Sequence, residues 1–359
     1  MTNNYYSVIM AGGVGKRFWP RSTKKSPKQL LNIFGEDTMI NLTIKRLEKI
    51  SLIEHIFIIT NHSQAKMILA QNKKLKWKNF IIEPSGKNTA PAIALASAHI
   101  IKKDPSAIIG FFPADHLIKN ENKFIASVKI AITTALKNTS LVTFGIKPTY
   151  PATGYGYIQI EQDNLPGLKT VHKTKTFAEK PNLHTAKRFV KSKEFVWNSG
   201  MFVWKGITIL KAINEHVPEL FSTISKIRET IGTKKYETSI VKLWSSITPV
   251  SIDYGILEKA NNVEVVLCNF DWNDIGSWNA VYKIDEKDKN KNVNRSEGLL
   301  TESTKNYVYS KKSKIFTYNI HNLVIIEENG VILVLPRKDA EHVKDVVDTL
   351  QINDKENLL

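Results

Sequence analysis

Ala11 to Leu30 reads AGGVGKRFWPRSTKKSPKQL, with three glycines, six cationic side chains and no acid. A backbone without side chains lets an anion come close, where amides and nearby cations can hold it. Phosphate is the ligand this chemistry suits. Two common phosphate loops are excluded by spacing. The dinucleotide fingerprint needs a third glycine, but Gly13-Val14-Gly15 runs on into Lys16, Arg17 and Phe18. A Walker A loop needs glycine five places before its Gly-Lys pair and Ser or Thr after it, and those places hold Met10 and Arg17. What remains is a strand ending in a glycine turn, followed by Arg17 and Lys28. A solvated basic turn is the non-functional alternative.

Acids follow further along. Asp115 lies in FFPADH, and Asp271 and Asp274 lie in DWNDIGSW, each stretch at the end of an apolar run. Mg²⁺ takes one or two carboxylates and completes its shell with phosphate oxygens. Asp115 and Asp274 converging beside the cationic turn would form a metal-assisted phosphate site, whereas structural turns would not need to converge. Three more stretches set polar residues among apolar ones: Glu179 and Lys180 in FAEKP, Asn198 in WNSGMF, and Glu83, Asn88 and Thr89 in EPSGKNTAPA. Asn and Thr before a helix are commonly caps, so these matches gain weight only together.

The elements that must position these groups are short. YSVIM, IFIIT, FIIE, AIIGFF and LVTFGI are strand candidates within the first 150 residues, separated by segments of helical spacing such as Met39, Ile40, Ile44 and Leu47. That alternation predicts an α/β fold of βαβ units with a mainly parallel sheet. Ligands of such sheets collect beyond the carboxyl ends of the strands, where the glycine turn begins. Past residue 150 the pattern is mixed, with a β pair around YGYIQI and FVWNSGMFVWKG, a helical stretch over 207–245, and a strand in VEVVLCNF. The polar tract 285–295 reads as a linker or exposed loop. NYVYS, KIFTYNI, NLVIIEE and VILVLP then predict a small β-rich domain closed by a helix over 339–350. The expected division is a catalytic domain of 1–285 and a C-terminal domain of 286–359.

Bulk composition is that of a globular chain, with 359 residues of which 42% are apolar. A net charge of +17, from 51 Lys and Arg against 34 Asp and Glu, attracts anions without choosing among them. Cys268 is the single cysteine and sits in an apolar run, which predicts a buried thiol in a reducing compartment. No run reaches the roughly 18 apolar residues of a spanning helix, and the first residues lack a basic leader. A cytoplasmic protein with no membrane partner is the expectation.

Taken in order, AGGVGKRFWPRSTKKSPKQLL, FFPADH, TGYGYI, FAEKP, WNSGMF, SIDYGILEK and DWNDIGSW resemble the sugar-nucleotide pyrophosphorylases of the nucleotidyltransferase family over nearly the whole chain. The resemblance implies a Rossmann-like domain with a mixed, mainly parallel sheet and a short β-helix-like C-terminal domain. WP with PKQ, NTAP and SIDYGILEK point within the family to the branch that joins GTP and mannose 1-phosphate into GDP-mannose and pyrophosphate. By the same resemblance, Ala11, Gly12, Gly13 and Gly15 present backbone to the nucleotide, and Glu83, Asn88 and Thr89 meet its base and ribose. Arg17 faces the leaving phosphates and Lys28 the reacting centre, while Asp115 and Asp274 hold Mg²⁺. Gly154, Glu179, Lys180 and Asn198 receive the sugar phosphate. A homodimer is implied as well. Lys16 and Arg21 stand where a small polar residue and Leu are usual, which predicts extra charge near the phosphates. Absence of a later histidine cluster predicts transferase activity without the isomerase domain of longer relatives.

Three rival readings follow from the same residues. Another sugar or base within the family shares most of the motifs. A nucleic-acid-binding protein would interleave aromatics with its basic residues on an open surface, whereas here Trp19, Trp197 and Trp278 lie inside the motifs and the lysines are diffuse. A silent regulatory homologue would lack the acid pair or Arg17, and all three residues are present.

Overall fold

The computed structural model describes residues 4–359. Contacts divide the chain into two compact units. One comprises the residues up to Gly12, Thr43–Ala114 and Ile118–Trp272; the other comprises Gly13–Leu42, Asp115–Leu117 and Asn273–Leu359. This division does not coincide with a break after residue 285, because the glycine-rich segment and both candidate acids group with the C-terminal strands.

The first unit is built on a nine-stranded sheet. In chain order its strands are β1 (Tyr5–Met10), β2 (Ile56–Thr60), β3 (Phe80–Ile82), β4 (Ile108–Pro113), β5 (Leu141–Ile146), β6 (Tyr157–Leu165), β7 (Leu168–Ala178), β8 (Phe195–Lys205) and β9 (Val263–Cys268). They lie in the order β3-β2-β1-β4-β8-β5-β9-β7-β6. Only β7 and β8 run against the rest, so the sheet is mixed and mainly parallel. Continuous apolar runs form its central strands because both faces are covered. Along β4, Phe111 enters the cluster shared with Trp204 and Ile93, while Phe112 meets Phe124 of the helix Glu121–Lys137 at 5.7 Å between ring centroids. Burial of each such ring stabilises the strand by roughly 2–3 kcal/mol. The stretch 207–245 is three helices rather than one, Gly206–His216, Pro218–Thr230 and Tyr236–Ser245. Pro218 supplies the first break, since its ring suits a first helical turn and cannot continue an existing one.

In the second unit, Val293–Arg295, Tyr307–Tyr309 and Leu323–Glu328 stack in parallel and Val331–Pro336 closes the sheet antiparallel. Val293 pairs with Tyr307 and Tyr307 with Val324, giving the stacked rungs of a short β-helix-like domain. Of the tract 285–295, residues 286–291 are the exposed loop expected, whereas Asp285, Asn292 and Val293 are buried and Val293–Arg295 is a strand of this sheet. Asn292 and Asn306 are 1% and 0% exposed. Asn292 Oδ1 accepts from the Asn306 backbone amide at 3.0 Å, and Asn306 Oδ1 accepts from the Leu323 amide at 2.9 Å. Asp285 and Arg295 form an ion pair across the same tract. Polar residues are buried here because the rungs satisfy them, as buried polar groups require. Beneath the strands, Phe18, Trp19, Trp278, Tyr307, Val324 and Val343 share one apolar core. The expected C-terminal helix is a 3₁₀ turn, Arg337–His342, followed by the α-helix Val343–Ile352.

Candidate active site

Ala11 follows β1 and is buried, its amide donating to Ile59 O at 3.0 Å; Gly12 beside it is exposed. In the second unit the glycine turn is held from behind by the Pro-Lys-Gln stretch. Gly13 and Gly15 have φ of 79° and 81°, a left-handed backbone that glycine adopts without strain. The Lys28 amide donates to Val14 O at 2.9 Å, Gln29 Nε2 to Gly13 O at 3.3 Å, and Ser22 Oγ to Gly15 O at 2.6 Å. A methyl group added at Gly15 would lie 2.5 Å from Lys28 Cβ, so the turn and the lysine need each other's shape.

Beside this turn is a cavity of about 400 Å³ lined by Gly15, Lys16, Arg17, Lys28, Asp115 and Asp274, together with Phe18, His116, Gly276 and Lys344. Five residues singled out from the sequence thus share one cavity: Gly15, Arg17, Lys28, Asp115 and Asp274. Lys28 is buried, and its Nζ donates to Asp115 Oδ2 at 2.6 Å and to the Asp274 carbonyl at 3.0 Å. Burial alone would raise the Asp115 carboxyl, but the charges of Lys28 and His116 outweigh it and hold the group below the usual carboxylate range. Among the described residues no group of three or more His, Cys, Asp and Glu is arranged to hold a metal. Two aspartates lining one cavity are nonetheless the donor set that suits Mg²⁺ when phosphate oxygens complete the shell.

The remaining cations are distributed in a way the sequence did not indicate. Arg17 Nε lies 3.1 Å from Glu341 Oε2, and Lys16 Nζ lies 2.6 Å from Asp348 Oδ1. All four side chains are about half exposed, so each pair contributes roughly 0–1 kcal/mol and is readily exchanged for a phosphate. Arg21 adds no charge to the cavity. It is 4% exposed, lies 3.3 Å from Glu328, donates to Asn32 Oδ1 at 3.0 Å and stacks over Tyr309 at 4.0 Å. The expected extra charge near the phosphates comes from Lys16 alone.

The first unit has its own polar cavity of about 470 Å³, lined by Asn88, Thr89, Glu179, Lys180 and Asp253 among others. Glu179 accepts from Lys180 Nζ at 2.7 Å. A Cβ at Gly156 would come 2.5 Å from Glu179 Oε2, so the missing side chain leaves room for that carboxylate. Gly154, two residues earlier, is exposed, and a Cβ there would meet nothing within 4 Å. Asn198 Oδ1 accepts from Thr143 Oγ1 at 3.0 Å and from the Gly200 amide at 3.2 Å, which turns its Nδ2 to donate to Asp253 Oδ1 at 2.8 Å. Burial and the neighbouring Glu179 charge raise the Asp253 carboxyl to about 6.

Asn88 Oδ1 caps the helix Thr89–Lys103 by accepting from the Thr89 amide at 2.8 Å. Thr89 Oγ1 accepts from the Ile252 amide at 2.8 Å. The capping role is thus met by Asn88 alone, while Thr89 ties the helix start to Ile252, and both residues line the cavity. Glu83 is buried and is not among the lining residues; burial pushes its carboxyl up to about 7. Sequence reasoning missed Asp253, Gly156 and Thr143. Asp253 lay within the quoted SIDYGILEK, and an acid between two apolar stretches was the available signal.

Comparison with known proteins gives consistent results. Residues 6–291 match the family described as Nucleotidyl transferase. A mannose-1-phosphate guanylyltransferase of Salmonella muenchen is 36% identical over 359 residues, covering 97% of this chain and 74% of that protein. One of Escherichia coli is 33% identical over 364 residues, covering 98% of this chain and 77% of that protein. A Thermus thermophilus structure described as a mannose-1-phosphate geranyltransferase superposes with a TM-score of 0.87 at 27% identity, covering 97% of this chain and 99% of that one.

Proposed function

The chain belongs to the nucleotidyl transferase family, and we propose that it transfers GMP from GTP to α-D-mannose 1-phosphate, giving GDP-mannose and pyrophosphate. The observation that carries this reading is the cavity that unites Arg17, Lys28, Asp115 and Asp274 at a glycine turn. In the step itself, a phosphate oxygen of the sugar attacks the α-phosphorus in line. The new O–P bond forms as the bond to the β-phosphate oxygen breaks, and pyrophosphate carries away the electron pair. Two polyanions meet and charge grows on the leaving group, so positioned cations serve better than a nucleophilic side chain.

Each residue then has a task. The turn at Gly12, Gly13 and Gly15 lets phosphate approach backbone, Arg17 meets the departing phosphates, and Lys28 neutralises the reacting centre. Asp115 and Asp274 would hold Mg²⁺, which supplies Lewis-acid polarisation of the α-phosphate. Glu179 and Asp253 accept hydrogen bonds from sugar hydroxyls, Asn198 orients Asp253, and Lys180 meets the sugar phosphate. Glu83 is the candidate reader of the guanine, whose N1–H and amino group are donors that a carboxylate matches. Orientation of both substrates contributes on the order of 7–11 kcal/mol to lowering the barrier in comparable intramolecular reactions.

A cytoplasmic setting and a homodimer belong to the same reading. Among the described residues, no helix is long and apolar enough to cross a membrane. Pyrophosphate release measured against a panel of nucleoside triphosphates and sugar 1-phosphates tests the proposal. Preference for GTP with mannose 1-phosphate supports it, and faster turnover of another pair reassigns the substrates.

A further inference from the structure

We infer that Lys344 is a fourth cation of the phosphate cavity, binding the terminal phosphates of the nucleotide and the pyrophosphate that leaves. The inference rests on the reaction proposed above and adds a ligand from the C-terminal helix. Lys344, Asp348 and Gln351 succeed one another at intervals of four and three residues, which sets them on one side of the α-helix Val343–Ile352, and Glu341 lies in the 3₁₀ turn just before it. That side faces the cationic turn. Glu341 holds Arg17 at 3.1 Å, Asp348 holds Lys16 at 2.6 Å, and Gln351 Oε1 accepts from Lys16 at 3.1 Å.

Lys344 lies between the two acids in sequence, and the same geometry carries it to the cavity wall with Gly15, Arg17, Lys28, Asp115 and Asp274. Glu341 and Asp348 are committed to Arg17 and Lys16, and Asp345, next to Lys344 in sequence, to His342. Lys28 is committed to Asp115. Lys344 is exposed and, among the described residues, has no ion-pair partner. Lys16, Arg17 and Lys28 have acid partners before a ligand enters, whereas Lys344 has none, so an entering polyanion supplies its counter-charge through an attraction that weakens as screening increases. A triphosphate gains most from that attraction. The sugar phosphate, with one phosphoryl group and a cavity residue set of its own in the first unit, gains little from it.

Isothermal titration of the full chain with inorganic pyrophosphate provides the test, using wild type, Lys344→Ala and Lys344→Arg. The alanine variant is expected to bind pyrophosphate about five-fold more weakly, as loss of one charge-assisted contact implies. It should raise the KM for GTP by a similar factor and leave that for mannose 1-phosphate unchanged, and arginine should restore most of the loss. Unchanged pyrophosphate affinity in Lys344→Ala, or equal weakening toward both substrates, overturns the inference. If wild type transfers no GMP while its pyrophosphate binding still depends on Lys344, the proposed reaction falls and the phosphate ligand stands.

Discussion

Lys28 is the more deeply buried partner of its ion pair with Asp115: the two side chains are 7% and 34% exposed and their charged atoms are 2.6 Å apart. The cation meant for phosphate is therefore already satisfied by the acid meant for a metal. Removing one member of such a pair leaves a buried charge without its partner, which costs about 3–5 kcal/mol in comparable cases.

Asp115→Asn and Asp274→Asn should each lower kcat by about 100-fold or more, as loss of a metal-holding group at a phosphoryl centre does. Only Asp115→Asn should also lose stability. Lys28 holds the Asp115 carboxyl low against the upward push of burial, so its contribution is complete at neutral pH and fades as pH falls through the acid range. Urea unfolding at pH 7 and at pH 3 checks this, since the gap between wild type and Asp115→Asn should narrow at the lower pH. Near-normal turnover in both variants would remove the metal assignment.

Gly15→Ala combines a left-handed φ with a methyl group directed at Lys28 Cβ. Destabilisation of about 1–3 kcal/mol is expected from the backbone alone, with a raised KM for GTP as Lys28 shifts. Gly12→Ala meets nothing within 4 Å and should unfold like wild type. If the nucleotide uses that backbone, Gly12→Ala still loses GTP affinity. Thermal melts combined with steady-state kinetics separate the two effects.

Asp253 titrates near 6 because burial and Glu179 disfavour its charged form. As an acceptor of sugar hydroxyls it acts when ionised, so the KM for mannose 1-phosphate should fall as pH rises from 5 to 7. The substrate's own phosphate ionises in the same interval, near a pKa of about 6. The measurement is therefore the ratio of wild type to Asp253→Asn across that range. A constant ratio would confine Asp253 to holding Asn198.

Glu83→Gln should make the protein more stable and less selective. Burial raises this carboxyl from 4.5 to about 7. The folded state keeps the proton that the unfolded state has released, so wild-type stability declines between those values and is lowest above them. The loss amounts to about 3 kcal/mol. Glutamine escapes it, giving a gain at pH 8 and none at pH 4 in denaturant titrations, alongside weaker preference for GTP over ATP. A stable variant with unchanged base preference would make Glu83 structural.

The sheet was legible because its central strands are apolar on both faces, a pattern only a covered sheet explains. YSVIM and AIIGFF became β1 and β4 for that reason. The glycine turn was legible because Gly13 and Gly15 occupy backbone positions costly for other residues. Buried polarity was not. Asn292 and Asn306 look solvated in sequence, and only the stacked rungs reveal that backbone amides occupy them. Arg21 misled for the same reason, since it is buried against partners, Glu328 and Tyr309, that lie far away in the chain. Asp253 could not be ranked until the fold brought it to the Asn198 amide.

That amide distinguishes residues of nearly equal size. Its oxygen is taken up by two donors and its nitrogen faces a carboxylate, so aspartate at 198 would fit in volume yet confront Asp253 with a second anion. A single substituted atom would turn a clasp into a repulsion, which makes the position intolerant of the most conservative exchange available to it.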